Sequence, residues 1–340
     1  MKVFKFLFFL LLIFLIGSAI YFASKDGRYD IKESRLIEIH PSILYNTVND
    51  YKTWEHWGPW KKEDSTMTFS YNANTVGVGG GYSWDGEFPG SMKTTAVQEN
   101  VAIEQNLTLE TPGGERSSKV GWEFTPKDNG VVEVSWKVEG EHTLMDKVYF
   151  AFSGTDFEGD MRTMYTSGLE GLETYVREQM EDHEVTIHGI TEHGGGFYLY
   201  KTTSASGTNI STIMGKNYGE IDQFMKQKGM TQSGMPFTIY NEMNPNGSII
   251  MSNAIPVPNA VDITEDSTVL SGYLPRTKAV RVSLQGDYTY LGKAWAEAMQ
   301  YITQYKLTQS EQKPFEIYTN DPGNYPNPAD WTTDIYIPIE

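Results

Sequence analysis

The chain has 340 residues, a net charge of −17, no cysteine and an aromatic content of 13%. This length fits two domains of about 150 residues each besides a terminal segment, and the aromatic content supplies enough apolar surface for folded cores. The negative charge repels a phosphate backbone and no basic run offsets it, so a nucleic-acid partner is not expected. The lack of cysteine excludes disulfides, thiolate metal sites and a cysteine nucleophile.

The first 25 residues carry the clearest local signal. Lys2 and Lys5 precede an uncharged, mostly apolar run from Phe6 to Ala23, and charge returns at Lys25. At about 1.5 Å per residue, such a helix nearly crosses a hydrocarbon core of about 30 Å. Because lysines before a span favour the cytoplasm, residues 1–25 predict a single-pass membrane anchor with a cytoplasmic N-terminus and extracytoplasmic soluble domains. The alternative is a signal peptide whose cleavage releases a secreted protein.

Strand patterns dominate residues 28–181, the first predicted soluble domain. A strand over Ile31 to Ile39 leads into a short helix opened by Pro41, and Tyr51 to Trp60 has the composition of an aromatic-rich loop. Alternating apolar residues then predict several strands, with turns at Pro112-Gly113-Gly114 and Asp128-Asn129-Gly130. A helical stripe from Asp156 to Met180 closes the domain and is long enough to lie across a sheet.

Antiparallel strands wrapped on one long helix leave a cavity between sheet and helix, the helix-grip arrangement. This domain resembles the polyketide cyclase/dehydrase branch of the SRPBCC (START-like) superfamily, on the residues Trp54-x-x-Trp57-x-Pro59-Trp60, Gly77–Trp84 and Gly168–Leu172. The resemblance implies a fold that mostly binds apolar small molecules. We expect the tryptophans between residues 54 and 136 to form core and cavity wall.

An internal repeat occupies residues 184–340, the second predicted soluble domain. Met230–Ser233 and Phe237–Tyr240 correspond to Leu307–Ser310 and Phe315–Tyr318, at offsets of 308 − 231 = 77 and 315 − 237 = 78. A helical pattern precedes each copy, and a strand ending in a proline between aliphatic residues follows it. With leading strands at about 197–203 and 279–284, the repeated module is a strand, a helix and a hairpin. The whole chain is therefore predicted as α+β, and the two modules as paired about a pseudo-twofold axis with helices on one face and a groove on the other.

The second domain resembles the GyrI-like small-molecule-binding domain, which also forms the effector-binding half of AraC-type and multidrug-responsive transcription activators. The matching residues are Leu274-Pro275, Gly286–Tyr288, Phe315–Tyr318, Asp321-Pro322 and Thr333–Ile339. The resemblance implies a pocket for lipophilic, often cationic compounds, with an acidic residue at the position of Glu316 at its base. Asp334 stands where the family often has glutamate, and its shorter side chain would reach less far. We expect no DNA-binding domain.

Glu316 is the residue on which the site prediction depends. Its counterpart in the first half is Thr238, so the acid occupies one side of an otherwise symmetric scaffold. Strand alternation predicts that Glu316 and Tyr318 share a polar face with Asp334 and Tyr336. A carboxylate in an aromatic groove is costly unless it is paired or protonated.

Three environments are open for Glu316: a ligand, an internal ion pair with Arg281, or solvent. Tyr240, Tyr318, Tyr336 and Trp295 are predicted as aromatic walls of the site. A cation over such a ring gains about 0.5 to 2 kcal/mol.

The preferred hypothesis is a membrane-anchored, extracytoplasmic binding protein with two cavities for lipophilic compounds, cations among them. One alternative is an enzyme, because some GyrI-like domains hydrolyse reactive cyclopropane-containing compounds, with Glu316 as acid/base and Tyr318 as orienting group. The other is a non-catalytic scaffold or interaction protein of the bacterial envelope. No metal or cofactor is predicted, because the six histidines form no metal-ligand spacing.

Overall fold

The computed structural model describes residues 2–111, 114–264 and 266–340. These residues form two compact units, Met1–Glu178 and Gln179–Glu340. Pro112 and Gly113 of the first predicted turn lie outside the described residues, whereas Asp128–Gly130 forms a short 3-10 turn between two strands.

The first unit combines one antiparallel sheet with several helices. Its helices are α1 (Lys2–Ala23), α2 (Pro41–Asn49), α3 (Trp54–Trp57), α4 (Trp60–Glu63), α5 (Leu144–Ser153) and α6 (Phe157–Met180). Its strands are β1 (Arg28–Ile37), β2 (Thr68–Tyr71), β3 (Gly81–Asp85), β4 (Gly90–Gln98), β5 (Ala102–Thr111), β6 (Gly114–Pro126) and β7 (Val132–Glu141). They pair in the order β1-β7-β6-β5-β4-β3-β2.

The segment predicted as an aromatic-rich loop is instead a 3-10 turn, Tyr51–Thr53, followed by the short helix α3 and the start of α4. Gly58 has an extended conformation at the end of α3, and Pro59 caps the start of α4. Proline lacks the amide hydrogen that would continue α3, so the chain turns between the helices.

Aromatic rings fill the space between this sheet and α6. Trp122 and Trp136 stack at 4.4 Å between ring centroids, and Trp136 stacks on Tyr165 of α6 at 4.1 Å. Trp54 and Trp57 meet the same cluster edge to face. All five side chains are buried. Trp54, Trp57, Trp122 and Trp136 are thus core, and they occupy the position where the helix-grip cavity is predicted.

Two glycines let α6 approach this cluster. A Cβ on Gly171 would lie 2.3 Å from the carbonyl oxygen of Trp57, and one on Gly168 would lie 2.5 Å from the ring of Trp136. Contacts this short do not occur between a real Cβ and its neighbours, so any side chain at either position would push the helix away from the rings.

The second unit has eight strands and two longer helices. The helices are α7 (Ile210–Gln227) and α8 (Leu291–Gln304). The strands are β8 (Glu184–His193), β9 (Gly196–Ser206), β10 (Phe237–Met243), β11 (Ser248–Val257), β12 (Leu270–Leu274), β13 (Thr277–Gln285), β14 (Phe315–Tyr318) and β15 (Thr332–Pro338). They form one antiparallel sheet in the order β12-β9-β11-β10-β14-β15-β13-β8.

Strands β10 and β14 meet at the middle of this sheet. Thr238 pairs with Glu316, and the flanking pairs are Phe237 with Ile317 and Ile239 with Phe315. Phe237 and Phe315, which correspond in the sequence repeat, therefore lie on opposite sides of the Thr238–Glu316 pair, and so do Ile239 and Ile317. The single acid lies where the two halves join.

Helices α7 and α8 pack on the same face of the sheet but near its two ends. Helix α8 covers β13 and β15, where Ala298 and Ile302 pack on Val282 and Ile335. Helix α7 covers β9 and β11. The central strands β10 and β14 are left between the helices.

Candidate functional site

A cavity of about 870 Å³ opens between α7 and α8 above strands β10 and β14. The residues that line it are Gly207, Ile210, Ser211, Met214, Gly215, Tyr218, Gln232, Met235, Pro236, Tyr240, Met243, Ile249, Tyr288, Leu291, Trp295, Glu316, Tyr318, Asn320, Asp321 and Pro322. The prediction of a groove on the face opposite the helices is wrong. The groove lies on the helix-covered face, because each helix covers only its own end of the sheet.

Glu316 lies at the base of this cavity and is only 1% exposed. The Tyr240 hydroxyl donates to its Oε2 at 2.6 Å and the Tyr318 hydroxyl at 2.9 Å, while Trp295 Nε1 donates to its Oε1 at 2.5 Å. Both carboxyl oxygens are therefore held by neutral donors, with no basic side chain among these three partners. The negative charge of an ionised Glu316 is left without a countercharge from them.

The two halves of the unit contribute corresponding groups to this arrangement. Trp295 of α8 reaches Glu316, and Tyr218 of α7 meets the Thr238 hydroxyl at 2.9 Å. Tyr218 and Trp295 are separated by 295 − 218 = 77 residues, which is an offset of the sequence repeat. Tyr240 and Tyr318 are likewise counterparts, and both bond to the one acid. Each half thus contributes aromatic residues at corresponding positions, whereas the acid, Glu316, is contributed by the second half alone.

A neutral polar network of the first half surrounds Thr238. Asn253 donates to Thr238 at 3.0 Å, and Asn217 donates to Asn253 at 2.8 Å and to Thr203 at 3.0 Å. Asn217, Thr238 and Asn253 are buried. Since these groups satisfy one another, they hold the Thr238 side of the floor without adding charge.

Burial controls the ionisation of Glu316 and of the tyrosines around it at the base of the cavity. It raises the pKa of Glu316, while the hydrogen bonds from Tyr240, Trp295 and Tyr318 oppose that rise. Burial, followed by the nearby Glu316 carboxylate, also raises the pKa of Tyr240 and of Tyr318 well above the ordinary range. Burial and the same carboxylate raise the pKa of Tyr288 to about 12. The tyrosines therefore remain protonated donors at neutral pH, and a cation in the cavity would favour the ionised form of Glu316.

The cavity walls are mostly apolar and include three methionines, Met214, Met235 and Met243. Methionine is unbranched and polarisable, so it adapts to ligands of different shape. Among the described residues that line the cavity, the charged side chains are Glu316 and Asp321, both acidic. A volume in the range of drug-sized ligand sites, apolar walls and this acidic character together suit a lipophilic compound, and a cation better than an anion.

Four of the six predicted binding residues, Glu316, Tyr318, Tyr240 and Trp295, line this one cavity. The other two do not, and the prediction that all the acids and phenols share a face is wrong. The register pairs Glu316 with Ile335 and Ile317 with Asp334. Because residues paired across antiparallel strands point to the same face, Asp334 and Tyr336 lie on the opposite face from Glu316.

The proposed ion pair between Arg281 and Glu316 is also wrong. Arg281 shares the face of Asp334 and binds it at 2.9 Å, and Ser283 donates to the same carboxylate at 2.5 Å. Tyr336 stacks on Phe315 at 5.1 Å on that face. The charge of Asp334 is thus paired with Arg281 within the sheet, whereas Glu316 faces the cavity.

Several lining residues were not predicted from the sequence, among them Tyr218, Tyr288 and the three methionines. The repeat contains the signal for Tyr218, because the 77-residue offset carries Trp295 onto it. Tyr288 lies in a short 3-10 turn before α8 and contacts Tyr318 and Trp331, a contact without any pattern along the chain.

An antiparallel sheet with two helices that flank a buried acid in an apolar cavity has the concave, mostly apolar form that small-molecule sites share. Residues 197–340 match the family described as the GyrI-like small molecule binding domain. The C-terminal part of this chain is thus similar to GyrI-like small-molecule-binding domains.

Comparison with solved structures gives matches of low identity. The C-terminal domain of EcmrR is 20% identical, with a TM-score of 0.40, over 46% of this chain and 98% of that one. Protein CV1439 from Chromobacterium violaceum is 14% identical, with a TM-score of 0.34, over 43% of this chain and 96% of that one. The Aha1 dimer from Colwellia psychrerythraea is 14% identical, with a TM-score of 0.32, over 44% of this chain and 96% of that one. Comparison with curated proteins gives no match.

Proposed function

We propose that this protein is a membrane-anchored, extracytoplasmic binding protein that binds lipophilic cations in the cavity between α7 and α8. The observation that carries the proposal is the buried Glu316 at the base of an apolar cavity, held by Tyr240, Tyr318 and Trp295 without a basic partner among them. An apolar cation gains from burying its surface, from the aromatic rings and from the carboxylate together.

The presence of Thr238 in one half and of Glu316 at the corresponding position of the other fits a duplicated module that has been adapted for binding. We propose that the two strand, helix and hairpin modules are copies, and that Thr238 keeps the neutral form of the floor. On this account Glu316 supplies the charge once, at the join, where either helix can contribute a ring to the ligand.

Anchoring is proposed from α1. Residues Phe4–Ala23 have a mean hydropathy of 2.6 and none of them is buried, as expected of a membrane span or of a signal sequence. We favour a retained span with its N-terminus in the cytoplasm, because the apolar run is long and lysines precede it. Cleavage as a signal peptide would give a secreted form of the same binding protein.

The first unit resembles the SRPBCC superfamily in its motifs, and we propose that it has a structural role and not a ligand-binding one. Its aromatic core occupies the space in which a helix-grip cavity would hold a ligand. The proposal therefore places the ligand in the second unit.

The test compares tetraphenylphosphonium with tetraphenylborate, two ions of the same shape and opposite charge. Each is added to the chain from residue 26, and the melting temperature and the heat of binding are measured. We expect the cation to bind and to raise the melting temperature, because a ligand at 100 times its Kd stabilises by about 2.7 kcal/mol. The anion is expected to bind weakly or not at all. Equal binding of both ions, or of neither, would refute the proposal.

Glu316 as a general acid or base is the second candidate function, and the raised pKa of its carboxyl favours it. A hydrolase would turn over a bound electrophile and would lose that turnover in Glu316→Gln. The scaffold hypothesis has less support. A Glu316–Arg281 pair without a groove would have favoured it, whereas Arg281 pairs with Asp334 and a cavity lies beside Glu316.

A further inference from the structure

Helix α5 presents an apolar face that no other part of the described first unit covers. It begins at Leu144 and ends before Gly154, which has a left-handed conformation. Met145 is 65% exposed, Tyr149 60% and Phe152 80%, and none of the helix's residues is buried. Large apolar side chains this exposed in a cluster mark a contact surface.

The exposed residues form one side of an amphipathic helix. At 100° per residue, Leu144, Met145, Val148, Tyr149 and Phe152 fall within a sector of about 140°. This is the wide apolar stripe of a helix that buries one face, here without a protein core against it.

The opposite side of α5 fixes the helix to its own unit. Asp146 completes a capping box with Thr143 and accepts from Arg116 Nε at 2.9 Å. Phe150 packs on His142 and Phe157, with ring centroids 4.9 and 5.4 Å apart. The apolar face therefore points away from the sheet by construction.

Two contacts place α5 beside the end of the membrane-anchor helix. Lys147 Nζ donates to the carbonyl oxygen of Lys25 at 2.6 Å, two residues after α1 ends. The rings of Phe22 and Phe152 lie 6.2 Å apart. If α1 crosses a bilayer, its last turn lies at the membrane surface, and α5 lies at the same level.

We propose that α5 is an interfacial helix, which lies in the surface of the bilayer spanned by α1 with Leu144, Met145, Tyr149 and Phe152 inserted among the lipids. Helices of this kind bury an apolar face at the boundary between headgroups and acyl chains, and aromatic residues are enriched there. The inference rests on the proposed anchor. Its consequence is a second point of attachment, which fixes the orientation of the first unit at the membrane.

Because the chain has no cysteine, a single introduced cysteine gives a unique label. The full chain is reconstituted in lipid nanodiscs with an environment-sensitive fluorophore on Met145→Cys or Phe152→Cys, and the quenching by lipids with a spin label on the acyl chain is measured. We expect the emission of both labels to fall in proportion to the fraction of spin-labelled lipid.

The matched control is Val101→Cys, an exposed apolar position of the same unit, 44% exposed. It lies just before β5, whereas the far end of β5 pairs with the strand that carries Arg116, the partner of Asp146. Leu109 is the residue of β5 that pairs with Arg116. The eight residues from Val101 to Leu109 span about 26 Å of strand, so the label at Val101 should not be quenched. Labels on α5 that behave like this control would overturn the inference.

A label at Phe14→Cys in α1 separates the two proposals. If Phe14 is quenched and the α5 labels are not, the anchor stands and the interfacial helix is wrong. If Phe14 is not quenched, the anchor itself fails and the inference falls with it. Labels on α5 that are protected from aqueous iodide but not quenched by lipid would show a protein partner or a second copy on this face, which also overturns the inference.

Discussion

Replacing Glu316 with glutamine is expected to lower the affinity for tetraphenylphosphonium by roughly tenfold to a hundredfold, about 1.4 to 2.7 kcal/mol. Two unit charges 4 Å apart gain about 4 kcal/mol at an effective dielectric constant of about 20, and part of that gain is lost to desolvation. Glutamine keeps the shape of the side chain and an oxygen that can accept from Tyr240 or Trp295. The variant therefore removes charge with little change in the cavity, and titration calorimetry measures the loss.

The control for this variant is Glu242→Gln. Glu242 lies on β10 and is exposed, and it is not among the residues that line the cavity. It changes the net charge of the protein by the same amount, so an effect of overall charge would appear in both variants. Unchanged affinity in Glu316→Gln, or an equal loss in both variants, would contradict the role assigned to the buried acid.

The second large effect is expected in the first unit, where Trp136→Ala should lower the free energy of unfolding by about 3 to 5 kcal/mol. Trp136 is buried between Trp122 and Tyr165, and its ring edge meets Gly168. Alanine leaves a cavity where α6 meets the sheet, because neighbouring rings are held by their own stacking. Chemical denaturation followed by near-ultraviolet circular dichroism measures the loss.

Trp84→Ala is the matched control for this prediction. Trp84 is half-buried on β3, near the edge of the same sheet, and its indole donates to the Phe88 carbonyl. The same substitution should cost less there. If Trp136→Ala costs no more than Trp84→Ala, the aromatic column is not the main core of this unit.

Much of the fold could be predicted from the sequence because the patterns are local. The strand predicted over Pro314–Tyr318 spans Phe315–Tyr318 in the structure, and the helix predicted over Asp156–Met180 spans Phe157–Met180. The short helix predicted after the first strand spans Pro41–Asn49. Each is defined by a periodicity of apolar residues and by capping or turn residues within a few positions. The 77-residue repeat also pointed to the second unit's order of strand, helix and hairpin.

The site could be predicted only in part, because it depends on register between strands. Alternation shows that Glu316 and Tyr318 share a face, but not which residues of β15 lie on that face. A shift of one residue exchanges the two faces, and the observed pairing of Glu316 with Ile335 sends Asp334 and Tyr336 to the other side. The internal partner of Asp334 follows from the same register, since Arg281 pairs with Tyr336 across β13 and β15.

The position of the groove and the filling of the first unit's core depend on packing in three dimensions. Which end of the sheet each helix covers is set by contacts among distant residues, and this decides where space remains. The number of tryptophans in the first unit is compatible with a cavity wall and with a filled core, and the packing of distant residues decides between the two. Gly168 and Gly171 favour the filled core, because they let α6 come close to the aromatic cluster.

The most direct test of the central claim is the affinity for tetraphenylphosphonium as a function of pH, in the chain from residue 26 and in its Glu316→Gln variant. The ionised carboxylate is the form that attracts the cation, and burial raises the pKa of Glu316 above its ordinary value. Affinity should therefore rise with pH through that raised pKa in the native protein and stay flat in the variant. An affinity that is independent of pH and equal in the two proteins would contradict a cation site built on Glu316.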